Sequence, residues 1–106
     1  MKEILTYKTS SGKCPFSDWF YKLDKAMQAR IEKRLERVEE GNYGDFKKID
    51  SDILELRFTF GSGYRIYFTE VNDIIIILLC AGDKSKQSED IGRARKYLED
   101  LIERNK

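Results

Sequence analysis

The sequence predicts one α+β domain with the element order β-α-α-β-β-β-α. Three observations carry this. Helically spaced apolar residues recur over Pro15 to Leu23 and Lys25 to Glu40, and again after Ser88. Strand-like runs fill Ile53 to Ala81, punctuated by Gly61-Ser62-Gly63 and Asn72-Asp73. Three strands follow one another through tight turns, so the reading is a small, mainly antiparallel sheet of about four strands flanked by two N-terminal helices and one C-terminal helix. The 106 residues make a single domain spanning 1–106, large enough to bury a core without disulfide or metal staples. A chain with 41% hydrophobic and 37% charged residues, seven Gly and one Pro is neither disordered nor collagen-like.

The elements follow in order. Ile4, Leu5 and Tyr7 form a short opening strand that stops at Ser10-Ser11-Gly12. Pro15 suits the first turn of a helix, where its missing N–H costs nothing, and Phe16, Trp19, Phe20 and Leu23 follow at helical spacing. The second helix carries an apolar stripe of Met27, Ile31, Leu35 and Val38 and stops at Gly41-Asn42. Arg30, Lys33, Arg34 and Arg37 flank that stripe, while Glu32, Glu36, Glu39 and Glu40 fall on the far side. Asn42 to Asp52 reads as a loop.

Ile53 to Phe60 places Leu54, Leu56, Phe58 and Phe60 on one face, and Tyr64 to Glu70 returns after a tight glycine turn. Ile74 to Ala81 is apolar throughout, which predicts a central strand covered on both faces. The last helix starts near Ser85 or Ser88, either able to cap it, with Glu89 and Asp90 in its first turn and an apolar face of Ile91, Ala94, Leu98, Leu101 and Ile102.

Composition excludes several chemistries. The chain contains no histidine, which removes Ser-His-Asp and Cys-His machinery and His-ligated zinc. Cys14 and Cys80 lack metal-ligand spacing and read as free thiols, Cys80 as a packing residue at a strand end. The longest apolar run is far too short to cross a bilayer, and the start lacks the pattern of a signal peptide, so the expected location is the cytoplasm. Net charge is +1, so nucleic-acid affinity would have to come from local patches.

The hairpin gathers candidate chemistry. With Gly61-Ser62-Gly63 as its loop, Phe60 faces Tyr64, Phe58 faces Ile66 and Leu56 faces Phe68. On the other face Arg57 lies opposite Tyr67, and Thr59 opposite Arg65. Two guanidinium groups and a phenol then share a surface within roughly 10 Å, and Lys84 leaves the end of the third strand beside it. Arginine grips phosphate bidentately, tyrosine stacks or handles a proton, and lysine balances charge or acts as a base. Such a set suits attack of an RNA 2′-hydroxyl on its adjacent phosphate, giving a 2′,3′-cyclic phosphate. The plainer reading is a solvated hairpin face in which Arg57 pairs with Glu55 or Asp83. The basic stripe of the second helix likewise reads as either a nucleic-acid contact or a solvated face with i,i+4 ion pairs.

Three stretches together resemble a known family. They run from Ala29-Arg30-Ile31 through Gly41-Asn42-Tyr43-Gly44-Asp45-Phe46-Lys47, from Leu54-Glu55-Leu56-Arg57 to Gly61-Ser62-Gly63-Tyr64-Arg65-Ile66-Tyr67-Phe68, and from Leu78-Leu79-Cys80-Ala81 to Gly82-Asp83-Lys84-Ser85-Lys86-Gln87, then Asp90-Ile91 and Ala94. They look like the RelE/ParE superfamily of toxins, in its HigB-like branch of addiction-module killer proteins. Ala81 stands where that family often has a first glycine.

The resemblance implies a RelE-like fold, a twisted sheet flanked by helices, and the toxin of a type II toxin–antitoxin pair, neutralised by a small helix-turn-helix antitoxin. It further implies metal-independent, ribosome-dependent cleavage of mRNA, with no cofactor. Carried over, Arg57 and Arg65 bind the scissile phosphate, Tyr67 orients or stacks on the substrate, and Lys84 is base or charge stabiliser. Gln87 is a secondary contact, and Lys47 with Arg30, Arg34 and Arg37 holds ribosomal or messenger RNA. The competing functions are a ParE-like inhibitor of DNA gyrase and a degenerate module that retains only antitoxin binding.

Overall fold

In the computed structural model, which describes residues 1–106, the order is β1 (Glu3–Thr6), α1 (Pro15–Phe20), α2 (Lys25–Glu39), β2 (Phe46–Lys48), β3 (Leu54–Arg57), β4 (Arg65–Val71) and β5 (Ile75–Gly82), then a 3₁₀ turn (Lys84–Lys86) and α3 (Gln87–Arg104). The strands form one sheet in the order β1-β5-β4-β3-β2. β1 runs parallel to β5 and the other pairings are antiparallel. The sheet therefore has five strands rather than about four. The extra one, β2, lies inside the expected 42–52 loop and pairs Phe46, Lys47 and Lys48 with Leu56, Glu55 and Leu54. All three of its residues are exposed, so it buries nothing that a hydrophobic alternation could announce.

Both faces of the sheet are covered. α1 and α2 pack Phe16, Phe20, Ile31 and Val38 against Leu56, Phe58, Ile66, Phe68, Ile76 and Leu78. On the opposite face Ala94 of α3 packs with Tyr7, Ile53, Tyr67, Leu79 and Cys80. β5 feeds both layers, as its unbroken apolar run requires. It does so partly through a bulge: Tyr67 pairs with Cys80 but Phe68 pairs with Leu78, so Leu79 is inserted and both Leu79 and Cys80 face the α3 layer. Cys80 is a packing residue; burial pushes its thiol up to about 12. No helix is long and apolar enough to cross a membrane.

The hairpin register differs from the sequence expectation by two residues. Leu56 pairs with Ile66, Arg57 with Arg65 and Glu55 with Tyr67. Phe58 N–H donates to the Tyr64 carbonyl at 3.0 Å, so the turn spans residues 59–63. Ring packing explains the longer turn. Phe60 stacks edge-on with Phe58 and Tyr64, at centroid distances of 5.4 and 6.0 Å, and so leaves the ladder. Gly61 sits at φ 63°, where a Cβ would come within 2.6 Å of the Tyr64 ring. A two-residue shift preserves the side-chain faces, so the apolar and polar sides of the hairpin are as expected.

Helix ends follow local chemistry. Asp24 caps α2 by accepting from Met27 N–H at 2.9 Å. Neither Ser85 nor Ser88 caps the last helical segment. Asp83 does, accepting from Ser85 N–H at 3.1 Å and thereby starting the 3₁₀ turn that leads into α3. Asp90, in the first turn of α3, is 2% exposed and paired with Arg93 at 2.7 Å. Its Oδ2 presses on Gly82, where a Cβ would lie 2.0 Å away, so this glycine is required for space.

Candidate functional site

Two adjacent rows of side chains cross the α3 face of the sheet. One runs Arg57–Arg65–Gly82 and the next Lys47–Glu55–Tyr67–Cys80, each from neighbouring register partners. Lys84 follows two residues beyond Gly82. Its Cβ lies 3.3 Å from where a Cβ on Gly63 would sit, so the lysine stem leans on the hairpin turn. Arg57 and Arg65 are thus register partners on one face of the hairpin, and Lys84 lies against the turn that joins their strands. Tyr67 is one row further in and fully buried.

A buried carboxylate organises this corner. Glu55 is fully buried. Its Oε1 accepts from Arg57 Nε at 2.9 Å and its Oε2 from Gln87 Nε2 at 2.8 Å. Burial pushes the Glu55 carboxyl up, but hydrogen bonds from Arg57 and Gln87, with the nearby Tyr67 hydroxyl and the Arg65 charge, outweigh it and hold the group below its ordinary value. Glu55 therefore stays ionised. Burial, together with the same carboxylate, pushes the Tyr67 phenol far up, so Tyr67 is a neutral phenol. Its hydroxyl faces Glu55 without reaching hydrogen-bond geometry and has no other partner.

The two arginines differ. Arg57 has its Nε tied to Glu55 and its side chain 31% exposed, which leaves both terminal nitrogens without a protein partner. Arg65 makes no ion pair, and its Nε is buried without a hydrogen-bond partner. A guanidinium held over a buried anion, beside a second one with no anion of its own, leaves net positive charge facing outward. Arginines so placed can bind a phosphate.

Residues 18–101 match the model of the family described as "Phage derived protein Gp49-like (DUF891)". The chain belongs to this family. Gp49-like proteins are associated with toxin–antitoxin systems and related to RelE/ParE-type toxins. A Haemophilus influenzae protein described as "Uncharacterized protein" is 41% identical over 87 residues, covering 81% of this chain and 88% of the relative. The family match runs from within α1 into α3 and contains every candidate residue.

The remaining candidates in this Gp49-like chain separate by environment. Arg34 is half-buried and donates to three carbonyls: Nε to Tyr43 at 3.0 Å, Nη1 to Arg57 at 2.8 Å and Nη2 to Asp45 at 2.7 Å. It also lies 4.8 Å from the Phe58 ring centroid. It clamps the 43–45 segment and the end of β3 to α2. Arg30 is exposed and stacks on Phe60 at 3.9 Å. Arg37 is exposed in the last turn of α2, and Lys47 is exposed on the edge strand. Gln87 is spent on Glu55.

Tyr67 does not lie open on the hairpin face beside Arg57 as the sequence register had it; the two-residue shift pairs it with Glu55, and the α3 layer covers it. Sequence reasoning gave Glu55 no part in the site except as a partner for Arg57. The available signal was a carboxylate within the apolar run Leu54-Glu55-Leu56, on the same face as Tyr67.

Proposed function

We propose that this Gp49-like chain is the toxin of a type II toxin–antitoxin pair, of RelE-like fold and HigB-like type, and that it cleaves mRNA on the ribosome without a metal. The pairing of Arg57 with Arg65 on one face, with Lys84 against the turn that joins their strands, carries the reading. The RNA 2′-hydroxyl gives up its proton as its oxygen attacks the adjacent phosphorus, the P–O5′ bond breaks, and the departing 5′-oxygen takes a proton from solvent or from the lysine, giving a 2′,3′-cyclic phosphate and a 5′-hydroxyl. The terminal nitrogens of Arg57 and the Arg65 guanidinium hold the non-bridging oxygens as negative charge builds on them. Lys84, at the rim, either neutralises the phosphorane or takes the 2′-hydroxyl proton as general base.

Tyr67 acts from beneath, filling the space beside Glu55, rather than by stacking on a base. Gln87 acts likewise by fixing the start of α3 through Glu55. The exposed Arg30, Arg37 and Lys47 supply contacts to ribosomal or messenger RNA, and a helix-turn-helix antitoxin is the neutralising partner. ParE-like inhibition of DNA gyrase is the competing reading, and one observation favours it: with Tyr67 buried and Arg57 half tied, fewer groups are free for chemistry than an exposed tetrad would offer.

Induction of the protein without its antitoxin distinguishes the two. Pulse labelling should show amino-acid incorporation stopping while DNA synthesis continues. Loss of DNA synthesis with translation intact would replace the nuclease by a gyrase inhibitor.

A further inference from the structure

A second concavity adjoins this corner. β1 leaves β5 after the Thr6–Leu78 pair, so the last residues of β5 have no strand on that side. There a cleft of about 720 Å³ opens between α1 and α3, floored by Ala81 and Gly82. Volumes of this order hold small ligands or one or two nucleotide units.

The cleft has an excess of free cations. Of its carboxylates, Asp90 is paired with Arg93 and Asp83 is engaged by the N–H and hydroxyl of Ser85. Lys13, Lys22 and Lys86 line it, are exposed and make no ion pair. Asp83 keeps its charge and Asp18 has no partner, so Lys13, Lys22, Lys86 and Arg93 outweigh Asp18, Asp83 and Asp90 by one charge. Aromatic surface accompanies the charge: Tyr21 is 72% exposed, and Trp19 lines the wall while packing edge-on against Tyr64 at 5.4 Å.

The 3₁₀ turn joins the two places. Lys84 leans on Gly63 of the hairpin, and Lys86, on the same turn, lines the cleft. Cations are therefore distributed from the hairpin face through Lys84 and Lys86 to Lys22 and Lys13, with Asp83 and Asp18 among them. Lysines along a path with aromatic faces beside it are what a single nucleic-acid strand needs: ammonium groups for phosphates and flat rings for bases.

We propose that this cleft seats the single-stranded RNA flanking the cleaved bond, with phosphates on Lys13, Lys22 and Lys86 and a base against Trp19 and Tyr21. Asp18 offers an acceptor to the exocyclic amino group of that base. The inference rests on the reading of the protein as an RNA-cleaving toxin, but its test does not need cleavage.

Trp19 is the single tryptophan of the chain, so its fluorescence reports the cleft directly. The probe is a single-stranded RNA dodecamer carrying 2′-O-methyl groups throughout, which blocks 2′-oxygen attack. Titration should quench or shift Trp19 emission saturably and more weakly as salt rises. The triple variant Lys13→Ser/Lys22→Ser/Lys86→Ser should melt like the parent, bind the dodecamer about tenfold or more weakly, and lose about 2 from the salt slope.

Equal affinity of parent and folded triple variant would overturn the proposal. So would a Trp19 response to polyglutamate but not to RNA, which would assign the cleft to an acidic protein segment. A Trp19 response to RNA that the triple variant loses, in a protein with no ribonuclease activity on ribosomes, would uphold the cleft and remove the nuclease. Undiminished mRNA cleavage by the triple variant would remove the cleft and leave the nuclease standing.

Discussion

Arg65→Ala and Lys84→Ala should each reduce mRNA cleavage about a hundredfold or more, about 3 kcal/mol of lost transition-state stabilisation. Both should leave the fold and antitoxin binding intact. The difference between loss of activity and loss of structure follows from the surroundings. Arg65 makes no ion pair, and Lys84 is exposed with its stem against Gly63, so neither truncation strands a buried anion. Arg57 is the less clean probe, because its removal leaves Glu55 without one of its two charge-bearing or polar donors. Decay of a reporter mRNA after induction measures the effect, and thermal melting with antitoxin pull-down controls for folding. Variants that remain fully toxic would show that the chemistry lies on another surface.

Arg34→Ala should have the largest effect on stability, about 3 kcal/mol, because one half-buried guanidinium serves three carbonyls and its loss leaves them short of donors. In a domain of this size that corresponds to a fall in Tm of about 15 °C. Arg34→Lys should recover little, since a single ammonium cannot reproduce a planar fork reaching three acceptors. A Tm within about 3 °C of the parent, outside the range a buried multi-donor group predicts, would return Arg34 to the set of surface RNA contacts.

What the sequence made legible depended on periodicity and what it hid depended on packing between elements. The helical spacing of Ile31 and Val38 and the alternation of Leu56, Ile66 and Phe68 put the right residues in the core. Side-chain faces survive a two-residue register error, so Arg57 and Arg65 stayed on one surface even though their partners were misassigned. The register itself depends on how Phe58, Phe60 and Tyr64 pack around Gly61, which no local pattern encodes.

Tyr67 shows the limit at the site. Alternation gave its face, but only the docking of α3 onto that face, with Ala94 and Cys80 against the ring layer, decides that it is buried. β2 was invisible for a different reason: it is an exposed edge strand of three residues. The role of Arg34 was hidden among its helical neighbours, because residues of one basic stripe differ only in what the 43–45 segment and β3 bring to them. Motif resemblance over the hairpin and the Gly82-to-Gln87 segment supplied the toxin-related family; geometry then divided its candidates into groups free to meet RNA and groups already engaged.

The most direct test is to map the ends of a translated reporter mRNA after induction, with and without an inhibitor of translation initiation. Upstream fragments ending in 2′,3′-cyclic phosphate and downstream fragments beginning with 5′-hydroxyl should accumulate only on translated message, and should vanish with Arg65→Ala. Growth arrest with the message intact from end to end would contradict phosphate cleavage by the Arg57–Arg65–Lys84 corner.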